Sequence, residues 1–390
     1  MNYDFDTIIN RRGTLSYKWD DTPDGMLPMW VADMDFKTAP AIIDALRKRI
    51  DNGCFGYTLV PDEYYDAVTG WFARRHGWNI NGNLMIYTSG VVPAISAILK
   101  ALTEKGDKVI VQTPVYNCFF SSIRNNGCEL LANPLVREGD TYKIDFDDLE
   151  KKASDPKAKI MLLCNPHNPT GRVWTREELT GIGEICLRHG LTVISDEIHC
   201  EFVYKDYTYT PFASISKEFA ANGVVCISPS KAFNIAGLQI ANIVAPDEEM
   251  RARIDRAINI NEVCDVNPFG VIATIAAYND SEDWMDQLVE YIEGNYRYMK
   301  DFCEKHLPGF PVMKLEGTYL AWMDCRRLGE TSELIERQLE DEVRLKLNAG
   351  TMYGADGEGY MRWNLACPRA LVKDGLERFQ AFVGNFEMGF

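Results

Sequence analysis

Lys231 stands at the end of the run Ser228-Pro-Ser-Lys231, after two loop serines that follow an apolar stretch. Four other apolar stretches also end in chemically useful residues. Leu84–Thr88 is followed by Ser89-Gly90, and Lys108–Gln112 by Thr113-Pro-Val-Tyr116. Lys159–Cys164 leads into Asn165-Pro-His-Asn-Pro-Thr-Gly171, and Leu191–Ser195 into Asp196-Glu-Ile-His199. An anion-binding Ser-Gly at a helix start, an aromatic ring, an amide, a carboxylate and an amine suit one kind of ligand. That ligand is a flat aromatic cation with a phosphate and an amine-reactive aldehyde.

Pyridoxal 5'-phosphate (PLP) meets each demand. On this reading Lys231 is the Schiff-base lysine, and Asp196 keeps the ring nitrogen protonated so that the ring draws electrons. Ser89, the amides of Gly90 and Val91, and the hydroxyls of Ser228 and Ser230 bind the phosphate. Asn168 donates to the ring phenolate, and Tyr116 stacks on the ring. His167 and Cys164 read as structural.

These residues need a scaffold that brings strand ends together. The apolar stretches, with Val224–Ser228 and Ile240–Ala245, lack polar alternation and are mostly separated by helix-length segments. One of these, Thr175–His189, opens with a capping-box pattern, Thr175 with Glu178. Such a sequence predicts an α/β fold, a mostly parallel sheet with helices on both faces and ligands at the carboxyl ends of its strands. A long amphipathic helix follows over Ser281–Lys305, then a strand-rich stretch (Glu316–Asp324, Tyr360–Leu365) typical of a smaller α+β domain. The first forty residues have no clear period and read as an arm. The expected division is a large PLP-binding domain over 46–285, with 1–45 and 286–390 forming the arm and the small domain.

The 390 residues are 46% hydrophobic and 25% charged, a globular composition with ample core. Lys plus Arg total 41 against 57 Asp plus Glu, a net charge of -16 that disfavours nucleic acid and anionic lipid. The eleven cysteines contain no Cys-x-x-Cys and meet only five histidines, so no zinc-ligand pattern or other metal site is read. Reduced thiols, an acidic start without a signal peptide and no run long enough to span a bilayer point to the cytoplasm.

Together, Asn168-Pro-Thr-Gly171, Asp196-Glu-Ile-His199 and Ser228-Pro-Ser-Lys231 resemble the signature of fold-type I PLP enzymes, the aspartate aminotransferase superfamily. The nearer likeness is to the C–S β-lyase branch, cystathionine β-lyases of the MalY/PatB type. It is carried by Leu27-Pro-Met-Trp-Val-Ala-Asp-Met-Asp-Phe36, Phe55-Gly-Tyr-Thr58, Leu163–Arg172, Ser230–Leu238, Glu316–Trp322 and Met361–Pro368. The resemblance implies that Arg362 forks onto the substrate α-carboxylate. It also implies that Tyr57 reaches the PLP phosphate of a neighbouring subunit, hence a homodimer with shared sites.

Two positions depart from the aminotransferase pattern. His199 stands where many members have a tyrosine on the phenolate, and Gln239 where many have a phosphate-binding arginine. The implied activity is α,β-elimination of L-cystathionine, L-cysteine or related S-conjugates to thiol, pyruvate and ammonia, with the freed Lys231 amine as general base. An aminotransferase on the same scaffold is the alternative, and a regulatory protein partner is a possible second role.

Overall fold

The computed structural model describes residues 2–262 and 265–388. Its large sheet has seven strands: β1 Met85–Thr88, β2 Lys108–Val111, β3 Glu129–Ala132, β4 Ala158–Cys164, β5 Thr192–Asp196, β6 Gly223–Ile227 and β7 Ala241–Val244. Their spatial order is β1-β7-β6-β5-β4-β2-β3. All neighbouring pairs are parallel except those made by β7, which runs antiparallel to both β1 and β6. The sequence reading gave Ile240–Ala245 no direction, because an apolar run looks the same both ways along the chain.

Alternate residues of the central strands enter two separate cores, so the sheet is covered on both faces. Ile160, Leu162 and Ile194 pack with Ile95, Val109 and Val111. Met161, Leu163 and Val193 pack with Leu149, Leu179 and Ile182 on the other side. This explains why the strands lack polar alternation. Helix Arg176–His189 begins with the expected box: Glu178 N–H donates to Thr175 Oγ1 (3.2 Å) and Thr175 N–H to Glu178 Oε2 (2.8 Å). It ends at Gly190, whose positive φ of 69° lets the chain reverse.

The long helix is Glu282–His306, so the domain division expected at 285/286 falls inside it. Its buried stripe, Trp284, Leu288, Ile292, Tyr296, Met299 and Cys303, faces a third core. Asn295 lies on the same stripe, and its amide donates to Leu365 O (2.9 Å) and Cys367 O (2.8 Å), which offsets its burial. A small antiparallel sheet, β8 Leu320–Asp324, β9 Asn348–Ala349 and β10 Tyr360–Asn364, has the order β8-β10-β9. Ten cysteines lie among the described residues, all as free thiols, and Cys264 lies outside them. No helix among the described residues is long and apolar enough to cross a membrane.

Candidate active site

A cleft of about 190 Å³ opens at the carboxyl ends of β4, β5 and β6 and is lined by Gly90, Tyr116, Asn168, Asp196, His199 and Lys231, among others. Asp196 ends β5 and is paired in register with Cys164 on one side and Cys226 on the other. Its carboxyl is buried, which raises it to about 7. Ile198 N–H donates to it (3.1 Å) and holds part of that shift back. Desolvation lowers the Lys231 amine to about 8, and the positive charge of Arg362 adds to the effect while Asp33 and Asp196 oppose it. Lys231 Nζ donates to Ala32 O (2.5 Å).

His199 is buried and Nδ1 has no partner. Desolvation and the nearby cations Lys231 and Arg362 drop its imidazole to about 3, so it is neutral at physiological pH. Arg362, on β10, is buried over the Tyr353 ring (4.7 Å). Its Nη1 donates to Asn168 Oδ1 (3.2 Å) and its Nη2 to Trp30 O (2.8 Å), while Nε has no partner. On the opposite wall the helix Val91–Leu102 starts after Gly90. Its first backbone bond is Ala94 N–H to Gly90 O (3.0 Å), so the amides of Val91 and Val92 precede the helical ladder.

The remaining expected residues lie differently. Ser89 borders a separate cleft with Thr88, Ser96 and Lys100 rather than the Lys231 cleft. Ser228 caps the helix Pro229–Ala232: its oxygen accepts from Ser230 N–H (3.1 Å) and its hydroxyl donates to Ile240 O (2.7 Å). The Ser228 and Ser230 hydroxyl oxygens are 2.9 Å apart. Tyr57 is 97% exposed, on the segment 53–61, which belongs to no helix or strand. His167 is fixed by Thr170 Oγ1 (2.8 Å) and Gln112 O (3.2 Å), as a structural residue would be. Cys164, read as structural, lines the cleft; its Sγ accepts from Asn168 N–H (3.4 Å).

The segment 30–36, read as part of an arm, forms one wall of the site. It belongs to no helix or strand, yet every carbonyl from Trp30 to Met34 accepts from a side chain. Asn348 and Arg362 hold Trp30 O, and Asn364 holds Val31 O and Asp33 O. Lys231 and Tyr319 hold Ala32 O, and Arg11 and Asn234 hold Met34 O. Behind this strap, Asp35 is buried against Lys18 (2.7 Å), Arg11 (2.8 Å) and Trp19 Nε1 (2.7 Å). The available signal was charge: Asp33 and Asp35 in an apolar stretch require cations, and Arg11 and Lys18 precede them. Outside the cleft lining, His76, Cys200 and Glu201 bring possible metal-ligand atoms within 4.8 Å, a trio that no sequence spacing displays. Glu201 already meets Trp71 Nε1 (2.7 Å), His76 Nε2 (2.8 Å) and Arg75.

The family model for aminotransferase class I and II matches residues 25–379. The chain belongs to that family. This member is 44% identical over 382 residues to cystathionine beta-lyase PatB of Bacillus subtilis (strain 168), covering 97% of this chain and 99% of that one. Cystalysin from Treponema denticola, solved with pyridoxal 5'-phosphate, superimposes with a TM-score of 0.96 at 35% identity, over 99% of this chain and 100% of that one. A PLP-bound C-S lyase from Staphylococcus hominis does so with a TM-score of 0.92 at 33% identity, over 98% and 99%. The fold is therefore the fold-type I architecture that the resemblance implied.

Proposed function

We propose that this protein is a pyridoxal-phosphate-dependent C–S β-lyase that converts L-cystathionine, L-cysteine and related S-conjugates to thiol, pyruvate and ammonia. The observation that carries the reading is one cleft lined by a buried acid and a desolvated amine, with a buried guanidinium, its Nε without a partner, bonded to the lining residue Asn168. The PatB, cystalysin and C-S lyase relatives support it.

The residues fit PLP. Asp196 is a buried carboxyl that needs a cationic partner, and the neutral His199 presents a vacant Nδ1. When bound, PLP supplies an electron sink for the pair left at the substrate α-carbon. Asp196 would hold the ring nitrogen, Lys231 the aldehyde carbon, and Asn168 and His199 the phenolate edge, with Tyr116 over the ring. The Gly90 and Val91 amides, with Ser230 and Ser228, would take the phosphate, and Gln239 leaves no arginine there.

The chain's own residues then perform three tasks. Arg362 binds the substrate α-carboxylate, with Nε aligned by the bonds that Asn168 and Trp30 make to its other nitrogens. Lys231 Nζ, whose lowered basicity leaves much of it neutral near pH 8, takes the α-proton. Val91, Val92, Pro93 and Ile198 give the cleft an apolar side that suits a thioether and excludes water.

The exposed segment 53–61, with Phe55, Tyr57 and Leu59 turned to solvent, supports a homodimer in which Tyr57 completes the partner's phosphate site. Mixing Tyr57→Ala with Lys231→Ala protein regenerates one intact site per hybrid dimer, and no recovery of activity refutes shared sites. The reaction itself is tested with L-cystathionine and no 2-oxo acid. Thiol and pyruvate over many turnovers support lyase chemistry, whereas a single turnover means an aminotransferase.

A further inference from the structure

The strap carbonyl of Ala32 has two donors among the described residues: Lys231 Nζ at 2.5 Å and the Tyr319 hydroxyl at 3.0 Å. A carbonyl oxygen has two lone pairs, so both are engaged. Tyr319 is completely buried, and its ring stands edge-on to Phe202 (4.8 Å) and to His199 (5.7 Å). Burial raises its phenol, so the hydroxyl stays a donor wherever the enzyme works. The strap on either side is clamped through the carbonyls of Trp30, Val31 and Asp33, leaving the oxygen little freedom to turn.

We propose that Tyr319 is a positioning residue that, through Ala32 O, aims the Lys231 amine whenever that amine is free of the cofactor. This rests on the reading of Lys231 as the amine that holds PLP and moves the α-proton. One N–H fixed on Ala32 O leaves the nitrogen lone pair on another side of the tetrahedral nitrogen, free to meet a proton in the cleft. A carbonyl shared with a phenol is also a poorer acceptor for an ammonium than one held by the ammonium alone. Tyr319 thereby favours the neutral amine.

The other groups around the amine are accounted for. Asp33, paired with Arg11, lies on the strap; Asp196 lies at the carboxyl end of the central strand β5, and His199 just beyond it. Arg362 comes from the small sheet and Cys118 from the start of helix Asn117–Asn125. Tyr319→Phe leaves all of them in place and removes one hydroxyl.

The test uses cofactor-free full-length protein. Lys231 is acetylated by a brief pulse of acetic anhydride at a series of pH values, and its peptide is quantified by mass spectrometry. Phe202→Leu, which disturbs the packing on Tyr319 without removing a polar atom, is the control. Tyr319→Phe is expected to move the titration midpoint of Lys231 up by roughly half to one pH unit, the equivalent of one ordinary hydrogen bond. The ascending limb of the kcat profile moves the same way in the loaded enzyme, with kcat reduced more than KM is raised. An unchanged midpoint in Tyr319→Phe overturns the proposal, as does an equal shift in Phe202→Leu. Failure of the Lys231 reading is separately visible: loaded protein then lacks the visible absorbance of a lysine–cofactor bond.

Discussion

Replacing Asp196 with Asn should stabilise the cofactor-free protein near neutrality. The folded carboxyl is raised from 3.8 to about 7, chiefly by burial, so the folded chain holds this proton far more tightly than the unfolded chain does. The group's favourable contribution is complete below about pH 4 and is lost as pH climbs through 7. Three units at about 1.4 kcal/mol each come to about 4 kcal/mol by pH 7.5. At pH 4.5 the same reasoning leaves about 1 kcal/mol. The Asn side chain, neutral throughout, can still accept from Ile198 N–H. Urea unfolding of both cofactor-free proteins at pH 4.5, 6 and 7.5 measures the gap by linear extrapolation. Any packing difference of the amide is independent of pH and subtracts out. The gap should widen with pH in favour of Asp196→Asn, and added PLP should narrow or reverse it, because only the carboxylate pairs with a protonated ring. A gap that stays constant with pH would show that Asp196 is not the proton-holding acid described here.

Lys231→Ala should lose the visible absorbance of the lysine–cofactor bond and fall below about a thousandth of wild-type turnover, as expected when a group that acts in the chemistry itself is removed; retained colour refutes the assignment. Arg362→Lys keeps the charge but not the fork, so kcat/KM for L-cystathionine should drop about a hundredfold or more while the Kd for PLP changes only about twofold; parallel losses in both would place Arg362 on the cofactor instead. Lys18→Met removes one of the two cations on the buried Asp35 carboxylate, Arg11 remaining, and should cost about 3 kcal/mol in urea unfolding, the low end for breaking a buried pair. A loss under about 1 kcal/mol would mean that the Lys18–Asp35 pair is only a surface-like contact.

The floor of the site was legible because each part of it is local. A strand's apolar run and the polar residue that ends it are adjacent in sequence, as Ser195 and Asp196 are, so the position of Asp196 follows from β5 alone. The direction of β7 was not legible, since hydrophobicity carries no polarity along the chain. The local bonds of Ser228 were not legible either: it caps the short helix that begins with Pro229 and donates to Ile240 O, contacts that its residue type does not announce. The strap was least legible. Its order comes from Asn234, Tyr319, Asn348, Arg362 and Asn364, side chains 199 to 333 residues away, and it leaves no period in its own sequence.

That strap ties the assembly of the site to the order of translation. Its residues leave the ribosome early, the sheet ends that face the cofactor follow by residue 231, and three of the side chains that grip its carbonyls arrive only with residues 348, 362 and 364. A nascent chain arrested before Arg362 carries the Lys231 amine but has neither the fully clamped strap beside it nor the Arg362 guanidinium. The strap is therefore held in full only after Asn364 has been made, and shorter products expose a lysine without the carbonyl clamp beside it.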